Sequence, residues 1–137
     1  METKQPTLKS LIKKNKFDWI NPVITSENFP PQGNTGTVLN NKVKIFHFNE
    51  TLSTEAVLRR LDDQGFRSAT VYELLTWSQK SWNGKDFVVA LGSVWQRAPG
   101  HRRVACLYEG ASRRPRYLFW DGLDWLEVCR FAAVKKG

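Results

Sequence analysis

A chain of 137 residues has room for one compact core and little for a second, and 41% hydrophobic against 25% charged residues excludes wholesale disorder. The formal charge of +8 brings nucleic acid forward as a partner class. Its distribution argues for solvated surface instead, since residues 17–96 hold seven basic and eight acidic side chains, while the excess lies in three places: five Lys against Glu2 over residues 1–16, six Arg against Glu109 over 97–116, and Lys135 and Lys136.

In chain order, Leu8, Leu11 and Ile12 recur at helical spacing among lysines, which predicts a short amphipathic helix in the arm. Residues 21–42 then gather Pro22, Pro30, Pro31, Gly33, Gly36 and five Asn, a composition that resists regular structure and predicts a long loop, pinned to the domain by Phe17, Trp19 and Phe29. Residues 1–42 are accordingly an arm and loop packed on a domain of residues 43–137. The first strand is expected over Val43 to Phe48, and His47 within it reads as structural. Ser53 or Thr54 caps a helix whose apolar stripe is Val57, Leu58 and Leu61 and which Gly65 ends. Thr70 and Glu73 form a T-x-x-E capping box ahead of a second helix that stops before Asn83-Gly84, with Trp77 off its apolar stripe.

From Asp86 the pattern turns to short strands, 86–95, 102–110, 116–122 and 124–134, separated by Pro99-Gly100, Gly110 to Pro115 and Asp121-Gly122. The expected class is α+β, with two helices flanking a mainly antiparallel set of short strands. Gly92-Ser93 reads as a place where two backbones approach closely. Trp125 is expected in the core, whereas Leu126 to Cys129 have no clean period of two and fit either a contact loop or a bulged strand.

No G-x-S-x-G elbow, H-E-x-x-H helix or phosphate-binding glycine loop occurs, so the reading is of a protein that is not an enzyme. Cys106 and Cys129 stand far apart without a CxxC, which predicts no metal, no cofactor and reduced thiols. The Lys-rich start has no apolar signal region and no apolar run reaches the ~18 residues of a membrane span, which makes a cytoplasmic location the default expectation.

The concentration of aromatics near the carboxyl end, interleaved with arginine, has the composition of a recognition surface. In a run such as Arg116 to Trp120, neighbouring side chains must face opposite ways; with Leu118 and Trp120 toward the core, Tyr117 and Phe119 face outward. A nucleic-acid interface through Lys9, Lys13, Lys14, Arg102, Arg103, Arg113, Arg114 and Arg116 is the second choice.

The segments GFRSATVYELLTW (65–77), VVALGSVW (88–95), RVACLYEG (103–110) and WDGLDWLEVCRFAAV (120–134) together resemble the variable proteins of diversity-generating retroelements, which have a C-type-lectin-like fold. The resemblance implies a first strand, two helices, and a carboxyl-terminal set of strands and loops that pairs back near the start. It also implies that a reverse transcriptase diversifies the segment within about residues 95–129. Ala90 to Ser93, Trp125 and Arg130-Phe131 match scaffold positions, and Tyr117, Phe119, Gly122, Leu123, Leu126, Glu127, Val128 and Cys129 match displayed ones. With Trp95, Arg97, Tyr108 and Arg116 these make the candidate ligand-binding surface, and a protein is the expected ligand. The Glu-Pro-Asn, Gln-Pro-Asp and Trp-Asn-Asp signatures of calcium-dependent sugar binding are missing, so neither calcium nor carbohydrate is implied.

Overall fold

A computed structural model describes residues 8–15, 28–29, 43–82, 86–98, 101–107, 119–120 and 124–136. The elements run α1 (Leu8–Asn15), β1 (Val43–Phe46), α2 (Thr54–Asp63), β2 (Phe66–Ser68), α3 (Val71–Ser81), β3 (Val88–Ala98), β4 (His101–Leu107), β5 (Phe119–Trp120) and β6 (Arg130–Lys135). The chain is a mixed α+β protein built on one six-stranded sheet in the order β1-β6-β3-β4-β5, with β2 also paired to β6.

All pairings are antiparallel but one: β6 lies parallel to β3. Strand β6 is the centre of the construction. One edge takes β1, from Val43 opposite Val134 to Phe46 opposite Phe131, and the other takes β3 near Arg130 and β2 toward Lys135. Its Phe131 to Val134 are all buried, because both faces of the sheet carry a core.

On one face, α3 and α1 bury Val71, Leu74, Leu75, Leu8 and Leu11 against Val88, Ala90, Ala105, Leu107, Ala132 and Val134. On the other, Val57 and Leu61 of α2 meet Phe46, Val89, Leu91, Val104, Cys106, Phe131 and Trp125. The arm is therefore part of the core at Leu8, Leu11 and Phe29, each 1% exposed, and the Tyr72 hydroxyl donates to the Phe29 carbonyl at 2.6 Å.

Local chemistry explains both longer helices. Ser53 caps α2 by accepting from Ala56 N–H at 3.1 Å, and Gly65, at φ +81°, ends it in the left-handed region that glycine enters without a Cβ clash. Leu58 departs from the expected stripe: it is 40% exposed, because only Val57 and Leu61 point at the sheet. The capping box of α3 forms as expected, with Thr70 Oγ1 accepting from Glu73 N–H and a Glu73 carboxylate oxygen accepting from Thr70 N–H. The same carboxylate, almost wholly buried, takes two further bonds from the Arg67 guanidinium at 2.8 and 2.7 Å, and this fork holds the Arg67 pKa above its ordinary value.

Strand β2, which no periodicity announced, exists because Arg67 and Ser68 sit between these partners and β6. Trp77 packs at the margin of the first core. Among the described residues there are three helices, the expected arm helix and the two expected beside the sheet, and none is long and apolar enough to cross a membrane.

Candidate functional site

Strand β3 is interrupted where it passes the amino terminus of α3. Its register with β4 slips between Ala90 and Val94, leaving Leu91, Gly92 and Ser93 outside the ladder. All three are used. Leu91 N–H donates to Ser68 Oγ at 2.8 Å, Gly92 N–H to the Ala69 carbonyl at 2.8 Å, and Ser93 Oγ accepts from Val71 N–H, an otherwise orphaned donor of the first helical turn, at 2.9 Å. A Cβ on Gly92 would stand 2.5 Å from Ala69 O and 2.6 Å from Ser68 O. The expected close approach of backbones is thus between the bulge of β3 and the segment joining β2 to α3.

The segment before β6 is the part of the expected ligand-binding surface that the described residues include most fully. Trp125 is 4% exposed, as a core residue should be. It exchanges two backbone bonds with Leu52, at 2.7 and 3.0 Å, and its indole N–H donates to Thr54 Oγ1 at 2.9 Å. Its ring meets Phe131 edge-on, with centroids 6.1 Å apart. Five residues later Arg130 N–H donates to the Phe87 carbonyl at 2.8 Å, so both ends of the segment are fixed to the sheet.

Between these anchors Cys129 N–H donates to the Leu126 carbonyl at 3.0 Å, closing a four-residue turn. His47 Nε2 donates to the Glu127 carbonyl at 2.8 Å, across 80 residues of sequence. Leu126 is 64% exposed, Val128 55%, and Glu127 is exposed between them. The open alternative of a bulged strand is decided in favour of a turn, which frees these three side chains from the alternation of a strand.

Cys129 corrects the expected surface. The resemblance places it in the displayed set, yet it is 4% exposed, because the turn that lifts Leu126 to Val128 out of the fold directs its fourth residue back into the second core. Burial raises its thiol pKa, and burial together with the nearby Cys129 raises that of Cys106 well above the ordinary value. Neither cysteine is in a disulfide.

Of the other expected surface residues, Trp95 and Arg97 lie on β3 and Phe119 on β5, in register with the buried Val104. Trp120 stands opposite Arg103. The side chains of Trp95, Arg97 and Phe119 lie outside the described residues. Tyr108, Arg116, Tyr117, Gly122 and Leu123 lie outside the described residues, as do Ile12's side chain, Phe17, Trp19, Arg113 and Arg114. His47, Leu52 and Thr54 as supports of the turn carried no signal in the sequence, since each meets its partner only through the closure of β1 and α2 around β6.

The segment's chemistry is that of contact. Its Asp124 and Glu127 carboxylates are exposed, His47 is engaged with a main-chain carbonyl, and among the described residues no three His, Cys, Asp or Glu side chains converge in a way that could hold a metal ion. Comparisons with family models, with curated proteins and with solved structures gave no match.

Proposed function

We propose that the chain is a non-enzymatic binding protein that displays interchangeable side chains on a rigid C-type-lectin-like scaffold, as the variable proteins of diversity-generating retroelements do. The observation that carries this reading is the turn at 126–128: two large apolar side chains, 64% and 55% exposed, stand between a buried tryptophan and a buried cysteine. Exposing Leu and Val there contributes nothing to the core, while Trp125, the Leu52 bridge and the His47 bond hold the backbone beneath them. A stiff frame under apolar, solvent-facing residues lowers the entropy cost of binding and suits a protein ligand. The return of β6 to β1, with α2 and α3 between them in sequence, is consistent with the implied fold order.

Two experiments test the two halves of the reading. In a library with positions 126, 127 and 128 randomised, most members should melt within a few degrees of the parent, and selection against immobilised protein targets should enrich distinct sequences at these positions. A library that mostly fails to fold would show the turn to be structural. For the retroelement, the DNA beside the coding sequence should contain a near-copy of the segment encoding residues 95–129, differing mainly at adenines, next to a reverse-transcriptase gene; a locus with neither defeats that half alone.

A further inference from the structure

We infer that the turn at 126–128 takes a protein partner that offers apolar side chains bordered by Lys or Arg. The inference rests on the reading of this turn as a contact surface and adds the chemistry of what it contacts.

Three large apolar side chains stand on this side of the molecule. Leu126 and Val128 are 64% and 55% exposed on the turn itself. The Trp125 indole N–H bonds to Thr54 Oγ1 and so ties the start of α2 to the turn. One helical turn further along that side of α2, Leu58 is 40% exposed. The backbone beneath is already held, by the two bonds between Leu52 and Trp125, by His47 on the Glu127 carbonyl, and by Cys129 N–H on the Leu126 carbonyl. A partner therefore meets apolar surface that it does not have to order first.

The border of this surface selects the partner. The chain as a whole carries a formal +8, yet the charges at the turn are negative: Asp124 and Glu127 in the segment and Glu55 beside Thr54 are all exposed. Among the described residues none of these three carboxylates has an ion-pair partner. The cations of the neighbouring elements are engaged elsewhere, Arg130 at 3.5 Å from Asp86 and Arg60 on the Glu50 carboxylate and over the Phe48 ring. Arg59, exposed beside Leu58, offsets one of the three. Such a border repels nucleic acid and anionic lipid, and a purely apolar partner would strip water from the carboxylates without replacing it. Cations set around an apolar anchor satisfy both the carboxylates and the exposed Leu and Val.

The test is fluorescence anisotropy of a labelled synthetic amphipathic Leu/Lys peptide titrated with the full chain, beside a Leu/Glu peptide of the same pattern, at about 50 and about 200 mM KCl. The Leu/Lys peptide should bind at the lower salt, about fivefold more weakly at the higher, and about tenfold or more tighter than its Leu/Glu counterpart. Leu126→Ser and Val128→Ser should each cost about 5- to 30-fold in affinity. Asp124→Lys combined with Glu127→Lys should reverse the preference between the two peptides. No binding of the Leu/Lys peptide overturns the inference, as do equal binding of both peptides and Ser variants that bind like the parent. A sedimentation coefficient of the chain alone that rises with concentration, and no longer does so in Leu126→Ser, gives the surface to a second copy and overturns it too. Where a Ser variant loses its melting transition, the charge reversal at the exposed positions 124 and 127 decides, and an unchanged preference counts against the inference. A turn library that enriches binders of neutral or acidic proteins while the Leu/Lys peptide fails defeats this inference and leaves the contact-surface reading standing; a library that mostly fails to fold removes both.

Discussion

Replacing Gly92 by alanine adds a single carbon, and the surroundings make that carbon costly. The new Cβ would sit 2.5 Å from Ala69 O, 2.6 Å from Ser68 O and 2.7 Å from Ala69 C, all backbone atoms that no rotamer change can move. Relief requires the β3 bulge and the 68–69 segment to separate. That lengthens the Gly92 to Ala69 bond and the two serine-mediated bonds beside it, from Leu91 to Ser68 and from Val71 to Ser93. Overpacking of this kind costs about 1–3 kcal/mol, and weakening one or two buried hydrogen bonds adds about 1 kcal/mol each. The expected total is about 3 to 4 kcal/mol, or a melting point lower by roughly 10 to 15 °C for a domain of this size. Gly65→Ala is the control: its φ of +81° is unfavourable for alanine, but no atom lies within 4 Å of the added carbon. It should cost only the conformational penalty, about 1 to 2 kcal/mol. Urea unfolding monitored by circular dichroism measures both. A Gly92→Ala protein within about 0.5 kcal/mol of the parent, or less affected than Gly65→Ala, would refute the close-approach argument.

The turn and its anchor should separate cleanly. Leu126→Ser and Val128→Ser should stay within about 0.5 kcal/mol of parental stability, whereas Trp125→Phe, which abandons Thr54 Oγ1 and leaves a void beside Phe131, should lose about 2 kcal/mol by urea titration. Glu73→Gln should cost about 1 to 3 kcal/mol, because the amide cannot accept the Arg67 fork on both oxygens and keep the capping bond; a chemical-unfolding midpoint unchanged from the parent would show the fork to be ornamental. Alkaline pH should weaken the fold. Burial raises the pKa of Cys106 and of Cys129 in the folded state, so the stability they carry is complete below the ordinary thiol pKa of about 8.5 and declines above it, where the unfolded chain releases protons that the folded one retains. Cys106→Ala should make the fall in urea midpoint between pH about 8 and about 10 shallower, and an identical fall would exclude the thiol as its source.

What could be read from the sequence was what neighbours along the chain decide. Ser53 and the Thr70–Glu73 box set the starts of α2 and α3, Gly65 sets the end of α2, and the strands expected over 43–48, 86–95 and 124–134 contain β1, most of β3 and most of β6, because capping, left-handed turns and apolar runs act over a few residues. Trp125 as an anchor and Gly92 as a close approach were legible for the same reason: an unusual residue stood where its neighbours called for one. The fold's distant pairings had no such signal. That β6 would take partners on both edges, that Arg67 and Ser68 would thereby become a strand, and that His47 would reach the Glu127 carbonyl follow from closing the sheet around β6. Tertiary structure alone also separated Leu58 from Val57 and Cys129 from Val128, apolar neighbours that face water or core according to which other element the backbone turns them toward.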